Sequence, residues 1–170
     1  MKGFTDADWA SNSVDRKSTS RYCFSVGSGM ISWCNRKHKS VALTSAEAEY
    51  MAASTTTCEA IWLVKLLVSL FRKRMEATKI YCYNQSCIKL SENPVFHDQS
   101  KHIDIHCHFI RDCVQRGAAQ LQYVPTGEQV ADIITKALGR AKFTQFREQM
   151  GMVEIHFSSN NSLQCRDNWQ

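Results

Sequence analysis

The amino-acid sequence predicts an α/β fold with one mixed β-sheet, and three observations carry this prediction. Residues 21–26 alternate apolar and polar side chains with a period of two, as half-buried strands do. Residues 44–47 and 126–129 have the spacing of helix-capping boxes, and each precedes an apolar pattern of helical period. With 170 residues, of which 44% are hydrophobic, the chain has the size of one domain with its own core.

The N-terminal part of the chain predicts three antiparallel strands. Residues 3–5 form a very short first strand, and residues 21–26 form the second. A glycine-containing turn then leads into a third strand at residues 30–34. The basic segment NRKHK, at residues 35–39, is predicted to be a loop.

A long helix is predicted to follow, starting at the first capping box. In such a box the Thr44 hydroxyl caps a helical amide, and Glu47 folds back on the Thr44 amide. The second half of this helix is rich in apolar residues, namely Ile61, Trp62, Val64, Leu67, Val68 and Phe71. We therefore predict that this half is too apolar to lie on a surface.

The remaining elements complete the predicted order βββαβααβα, with helices on both faces of the sheet. They are a fourth strand at 79–83, a short helix at 85–90 that stops near Asn93 and Pro94, a helix at 102–114 that ends before Gly117, and a fifth strand at 119–124. The second capping box opens a final long helix, whose apolar stripe is Val130, Ile133, Ile134, Ala137 and Leu138.

The domain organisation follows from where this patterning ends. Residues 1–152 form one predicted domain, because no internal repeat and no Gly- or Pro-rich linker divides them. Residues 153–170 are polar and have no periodicity, so we expect a loose tail.

Composition limits the cellular setting and the partners. The chain carries 21 basic and 16 acidic residues, and this net charge of +5 fits a polyanionic partner. The eight cysteines form no C-x-x-C pair, which favours reduced and mostly buried thiols. The N-terminus has no secretory signal pattern and no run of 18 apolar residues occurs. We expect an intracellular protein, cytoplasmic or nuclear, that is not secreted and has no membrane partner.

Three acidic residues occupy positions where carboxylates converge in α/β folds. Asp6 follows the first strand, Glu49 lies in the first turns of the long helix, and Asp132 lies in the first turns of the last helix. Carboxylates at neighbouring ends of elements are suited to Mg²⁺, which prefers oxygen ligands. Taken singly, each of them has the plainer interpretation of a favourable charge at a helix start. Glu47 is committed to the capping box, so Glu49 is the better catalytic candidate.

Six colinear segments carry a resemblance to a known family. They are TDADWA (5–10), DRKSTSRYCF (15–24), SAEAEYMAAS (45–54), YNQSCIKL (83–90), KHIDIHCHFIRD (101–112) and YVPTGEQVADIITKAL (123–138). Together they resemble the RNase H domain of copia-type retrotransposon (retrovirus-related) Pol polyproteins, over residues 3–152. The resemblance implies an RNase H-like fold with a five-stranded mixed sheet.

The resemblance also implies the roles of the site residues. Asp6, Glu49 and Asp132 match the first, second and fourth active-site carboxylates, which would hold Mg²⁺ or Mn²⁺ for two-metal hydrolysis. The third carboxylate is expected in a motif like YCDNQS, where this chain has Tyr83. A phenol titrates near pH 10, so at neutral pH it offers one uncharged oxygen instead of an anionic pair. Arg21 also departs from the pattern, because it replaces a usual glycine.

Two functions remain open at this point. The first is an endoribonuclease that cleaves the RNA strand of RNA/DNA hybrids, with activity weakened by Tyr83. The alternative is a catalytically inactive remnant that only binds hybrid or other nucleic acid. The sequence leaves open whether the chain is an enzyme, and it does not determine the oligomeric state.

Two further groups of residues suggest ligands less specifically. Arg36, Lys37 and Lys39 are candidates for contacts with nucleic-acid phosphates, although short charge runs are usually solvated surface. The basic residues 72–74 are weaker candidates for the same phosphate contacts. His97, His102, His106, Cys107 and His108 suggest zinc, but no C-x-x-C or other closing pair accompanies them. For the segment 101–112 we therefore favour packing roles over metal binding.

Overall fold

The computed structural model describes residues 1–72, 74–92, 101–134 and 136–152, with the backbone alone described at 90, 101–104 and 107. Its strands are β1 (Lys2–Asp8), β2 (Thr19–Val26), β3 (Gly29–Lys37), β4 (Thr78–Cys82) and β5 (Ala119–Tyr123). Its α-helices are α1 (Ser45–Phe71), α2 (Gln85–Glu92), α3 (Lys101–Gln115) and α4 (Arg140–Gln149), and two 3₁₀ segments (Thr126–Glu128 and Val130–Ile134) precede α4.

The five strands form one sheet in the order β3-β2-β1-β4-β5. Strand β1 pairs antiparallel with β2, and β2 pairs antiparallel with β3. On its other side β1 pairs parallel with β4, which pairs parallel with β5. The predicted mixed sheet is confirmed, and β1 lies at its centre.

The alternation along β2 divides its side chains between two core layers. Tyr22 and Phe24 pack with Ala60 and Leu63 of α1 on one face of the sheet. Cys23, between them in sequence, faces the other side, where the core includes Phe146 of α4. Because both faces need a cover, the predicted helices on both sides of the sheet are confirmed.

Helix α1 begins where the sequence predicts. The Thr44 hydroxyl accepts a hydrogen bond from the Glu47 amide at 3.1 Å. The second bond of the box is shifted by one residue from the prediction. The Glu47 carboxylate accepts from the Leu43 amide at 2.6 Å and not from the Thr44 amide. Both bonds satisfy backbone amides that have no partner inside the helix, so the box still fixes this terminus.

The prediction that the second half of α1 is buried is wrong. Leu63 is the last buried residue of the helix, and Trp62, Leu70 and Phe71 are 56%, 65% and 71% exposed. A helix of 27 residues is about 40 Å long. The strands beneath it have five to nine residues, which corresponds to about 17–30 Å. The C-terminal turns of α1 therefore extend beyond the sheet.

Helix α1 is also long and apolar enough to cross a membrane, judged by length and composition alone. Eleven of its residues, between Glu47 and Leu63, are buried in the fold. In the 18-residue stretch of the helix that meets this criterion, 28% of the residues are buried, so packing accounts for only part of its apolar composition.

The predicted long helix from residue 126 to 138 is wrong. Two short 3₁₀ segments occupy this region, and the final α-helix begins only at Arg140. Gln129 lies between the two segments in an extended conformation, and its buried amide donates to the Thr5 carbonyl at 2.8 Å. This contact with β1 uses the side chain that the capping box would have needed.

Strands β1 and β3 are longer than predicted. Strand β1 has seven residues and pairs with β2 along its whole length, so the very short first strand predicted at residues 3–5 is wrong. Strand β3 continues to Lys37, so residues 35–37 of the basic segment belong to a strand and not to a loop. Cross-strand pairing with Thr19 to Arg21 of β2 explains this extension.

Several expectations concern residues outside the described ranges. These are the tail 153–170, the helix stop at Asn93 and Pro94, and His97. The six cysteines whose side chains are described form no disulfide with one another, and Cys23, Cys82, Cys87 and Cys113 are buried as predicted. Cys58 is exposed and Cys34 is partly buried.

The end of α4 supplies a test of its docking on the sheet. Gly151 has a φ of +72°, and a Cβ there would collide with the Ser28 carbonyl in the β2–β3 turn. The adjacent Met150 carbonyl accepts from the Met30 amide at 3.2 Å. We predict that Gly151→Ala destabilises the fold by about 2 kcal/mol or more, which lowers Tm by about 5 °C.

Gly29→Ala is the matched control, since nothing lies within 4 Å of a Cβ at that position. Thermal denaturation should give a near-natural Tm for Gly29→Ala. Equal Tm values for the two variants would contradict the docking of α4 against the β2–β3 turn.

Candidate active site

The three acidic candidates lie together, although they come from distant parts of the sequence. Asp6 lies in β1 at the centre of the sheet, Glu49 in the second turn of α1, and Asp132 in the 3₁₀ segment Val130–Ile134. Each is at most 2% exposed. Buried carboxylates require partners, so the neighbours of these groups decide what the site can do.

Arg21 is the main partner of Asp6. The two residues are directly paired across β1 and β2, which puts their side chains on the same face of the sheet. The Arg21 guanidinium donates from Nη1 to Asp6 Oδ2 at 2.5 Å and from Nη2 to Asp8 Oδ2 at 2.7 Å. Arg21 is itself only 2% exposed, so this is a buried, charge-assisted pair.

Lys136 is the second cation of the site. Its ammonium lies 2.6 Å from Asp132 Oδ1 and 3.6 Å from Asp6 Oδ2. Burial acts to lower the pKa of Lys136, but the hydrogen bond to Asp132 and the charge of Asp6 raise it above its ordinary value. Lys136 therefore stays protonated and bridges Asp6 and Asp132.

Among the described residues, no cationic side chain is in direct contact with Glu49. Its Oε1 accepts a hydrogen bond from the Ala7 amide at 3.2 Å. Burial is the main cause that raises the pKa of Glu49 to about 8, and the charge of Asp6 raises it further. The interaction with the Tyr83 hydroxyl acts in the opposite direction.

Tyr83 lies beside Glu49 at the end of β4. Strand β4 pairs in parallel with β1, with Phe4 opposite Tyr81, and continuing that register by two residues brings Tyr83 to Asp6. Burial first, and then the charge of Glu49, raises the pKa of the Tyr83 phenol above its ordinary value. At neutral pH the position therefore offers an uncharged hydroxyl.

The oxygen donors of Asp6, Glu49 and Asp132 meet only part of what a divalent ion needs. Asp6 Oδ1 and Glu49 Oε2 are buried oxygens with no hydrogen-bond partner, and such hard donors are suited to Mg²⁺ or Mn²⁺. Among the described residues, however, no three His, Cys, Asp or Glu side chains are arranged to hold a metal ion. Arg21 and Lys136 contact the remaining oxygens of Asp6 and Asp132. In this arrangement the residues do not fit a divalent ion, and their metal-binding role stays a prediction.

Sequence reasoning missed three members of this cluster. The sequence identifies Arg21 only as a departure from a glycine, and the predicted site does not include Asp8 or Lys136. Asp132 and Lys136 have the i, i+4 spacing of an ion pair, which was a usable signal. The pairing of Arg21 with Asp6 depends on the register of β1 and β2, which the sequence does not state.

The basic residues lie in another part of the same sheet. Arg36 and Lys37 end β3, Lys39 follows it, and all three are exposed. They border a pocket of about 280 Å³, lined also by Ser20, Tyr22, His38, Ser40, Met51, Thr55 and His106. Burial lowers the pKa of His38, so the positive charge here comes from Arg36, Lys37 and Lys39. Lys37 also pairs with Asp15 at 2.7 Å.

The histidines of α3 have contacts of another kind. His106 Nδ1 forms a hydrogen bond with the Ser54 hydroxyl of α1 at 2.9 Å. This contact joins α3 to α1, as expected for a packing role. The side chains of His102 and Cys107 are not described, and His97 lies outside the described residues.

Comparison of sequences relates the chain to transposon polyproteins. It is 39% identical over 155 residues to the retrovirus-related Pol polyprotein from transposon RE2 of Arabidopsis thaliana, covering 91% of this chain and 11% of that protein. It is 41% identical over 152 residues to the retrovirus-related Pol polyprotein from transposon TNT 1-94 of Nicotiana tabacum, covering 89% of this chain and 11% of that protein. The chain thus spans about a tenth of the length of these relatives. No protein-family profile matches it.

Comparison of structures identifies the fold. RNase H1 from the halophilic archaeon Halobacterium salinarum NRC-1 aligns with a TM-score of 0.54 and 11% identity, over 76% of this chain and 89% of that one. LC11-RNase H1, solved in complex with an RNA/DNA hybrid, aligns with a TM-score of 0.54 and 9% identity, over 75% of this chain and 87% of that one. The predicted RNase H-like fold is confirmed.

The buried carboxylate of Glu49 predicts a pH-dependent stability. Its pKa of about 8 lies above the ordinary value of 4.5, so the folded state binds the extra proton between these values. Stability contributed by this group is therefore lost as the pH rises from about 4.5 to 8. We predict that Glu49→Gln raises Tm over the natural protein by about 3 °C or more at pH 8.5 and by much less at pH 5.

The exposed Glu148 of α4 provides the control for this measurement. Glu148→Gln should give the same small Tm difference at both pH values. A Glu49→Gln difference that does not grow with pH would contradict a protonated, buried Glu49.

Proposed function

We propose that this chain is an RNase H-like domain that binds RNA/DNA hybrids without cleaving them efficiently. The proposal proceeds from the homology of the chain to one segment of the retrovirus-related Pol polyproteins of transposons. The homology and the RNase H fold support the domain type. We call Asp6, Glu49 and Asp132 the acidic cluster. Of the two functions that the sequence left open, the geometry of this cluster favours binding over turnover.

Two observations support a nucleic-acid partner. A protein of the same fold, LC11-RNase H1, has been solved with an RNA/DNA hybrid. The chain also has a net charge of +5, which favours association with a polyanion through release of counter-ions. Proteins recognise RNA/DNA hybrids by backbone shape and 2′-hydroxyls more than by bases, so we expect no sequence preference.

The basic pocket beside β3 is the surface we assign to the phosphates. Arg36, Lys37 and Lys39 border it, and the hydroxyls of Ser20 and Thr55 add polar groups. Ser20 directly precedes Arg21 in β2, and successive strand residues point to opposite faces of the sheet. The pocket, lined by Ser20 and Tyr22, therefore lies on the face opposite to the Arg21 side chain.

The single observation that favours binding without turnover is the set of groups that face the carboxylates. The group beside Glu49 is the Tyr83 phenol, at the position where the resemblance expects a carboxylate. A phenol adds no negative charge at neutral pH, and the nearby Asp6 and Asp132 are already paired with Arg21 and Lys136. We infer that such a site supplies little electrostatic stabilisation to a phosphodiester transition state.

Hybrid binding is tested on the basic pocket. We predict that the double variant Arg36→Ala, Lys39→Ala weakens binding of an RNA/DNA hybrid at low salt. It should also reduce the slope of log K against log salt by about 1–2, because each lost phosphate contact removes about 0.9 from the slope. Fluorescence anisotropy with a labelled hybrid over a salt series measures both quantities.

The matched control removes the same charge elsewhere. Lys65 of α1 and Arg140 of α4 are exposed, and neither borders the pocket. The double variant Lys65→Ala, Arg140→Ala should leave the slope almost unchanged. Equal losses from the two double variants would contradict the assigned surface, and failure of the natural protein to bind hybrid would contradict the proposed partner.

Cleavage is tested separately on the natural protein. With a labelled hybrid in excess, we predict cleavage in Mg²⁺ that is at least about a hundredfold slower than that of an active RNase H, a deficit of about 3 kcal/mol. Asp6→Asn should not change the residual rate. Rapid Mg²⁺-dependent cleavage that Asp6→Asn abolishes would overturn this part of the proposal and restore the enzymatic alternative.

A further inference from the structure

We propose that Arg21 closes the acidic cluster to divalent cations, with Lys136 as its second built-in counter-ion. The cluster would then be neutralised by the protein itself, and Arg21, more than Tyr83, would be the group that excludes a metal. This inference does not depend on hybrid binding, because it concerns charges inside the folded chain.

The position of Arg21 carries the proposal. Its backbone lies in β2 between two paired strands, opposite Asp6 on one side and Asn35 on the other. Its side chain is 2% exposed and contacts Asp6 and Asp8 simultaneously. A guanidinium fixed in this way occupies the lone pairs of Asp6 Oδ2 that a cation would need.

The charge balance gives the same result. Asp6, Asp8, Glu49 and Asp132 supply at most four negative charges, and Arg21 and Lys136 bring two positive charges into contact with all of them except Glu49. At most two negative charges then remain, and burial favours the neutral form of Glu49, so little negative charge is left for an incoming ion. A divalent ion would be repelled by both cations at short range in a poorly solvated site, where such repulsion is strong.

Arg21 and Lys136 differ in how easily their side chains could move away from Asp6. The Lys136 side chain is 41% exposed and follows a short 3₁₀ segment, so it can turn towards solvent. Arg21 has no such route, because its side chain is 2% exposed and its backbone lies in β2 between two paired strands. Freeing Asp6 from its buried cation therefore requires a substitution at residue 21.

The roles of Arg21 and Tyr83 can be separated by substitution. Arg21→Met removes the guanidinium and keeps the length of the side chain, whereas Arg21→Lys keeps one positive charge at the same place. Tyr83→Asp adds a carboxylate beside Glu49 and leaves Arg21 on Asp6. Each variant is compared with the natural protein in millimolar Mg²⁺, in millimolar Mn²⁺ and in EDTA, with Tm as the readout.

We expect Arg21→Met to be destabilised in EDTA, because Asp6 and Asp8 lose their buried partner. Its Tm should rise by about 3 °C or more when either cation is added, since a ligand that binds only the folded state stabilises it. The natural protein, Arg21→Lys and Tyr83→Asp should each change by less than about 1 °C.

Two results would overturn the proposal. The first is a Tm increase with Mg²⁺ or Mn²⁺ for Tyr83→Asp but not for Arg21→Met, which would assign the exclusion to the phenol. The second is direct binding of Mn²⁺ to the natural protein at submillimolar concentration, measured by water-proton relaxation. This second measurement uses only the natural chain, so it can contradict the proposal even if Arg21→Met does not fold.

Discussion

The pairing of Asp6 with Arg21 is the constraint on which the rest of the site depends. Both residues lie in the central part of the sheet, and each is at most 2% exposed. Breaking a buried ion pair by removing one partner typically costs about 3–5 kcal/mol, since the other charge remains buried. The pair therefore links the folding of β1 and β2 to the charge of the acidic cluster. Lys136 and Asp8 then complete a network in which Asp6 is shared between two cations.

This network leaves the rest of the RNase H-like scaffold in place. Helix α1 still carries Glu49 to β1, through the hydrogen bond from the Ala7 amide, and Tyr50 and Ala53 of the same helix still join the core. The basic residues at the end of β3 remain exposed and are separate from the acidic network. A surface suited to phosphates can thus persist while the carboxylates are neutralised, which is the physical basis of the binding without turnover that we propose.

Local patterns predicted the elements whose contacts are local or repeat along the chain. The alternation around Tyr22 and Phe24 predicted β2, and the Thr44 cap predicted the start of α1. The final helix was mispredicted because Gln129 bonds to the Thr5 carbonyl, 124 residues away, and no local pattern reports such a contact. The exposed end of α1 was missed because it depends on the length of the strands beneath it. The convergence of Asp6, Glu49 and Asp132 followed from a resemblance, whereas the role of Arg21 required the strand register.

The most direct test of this account is a crystal structure of the natural protein grown or soaked with Mn²⁺, whose anomalous scattering locates the ion without ambiguity. The account predicts that the Arg21 guanidinium contacts Asp6 and Asp8, that Lys136 contacts Asp132, and that no anomalous peak lies within about 2.5 Å of an Asp6 oxygen, the range of metal–oxygen bonds. A Mn²⁺ ion bound by Asp6 together with Glu49 or Asp132, with Arg21 displaced from Asp6, would contradict it.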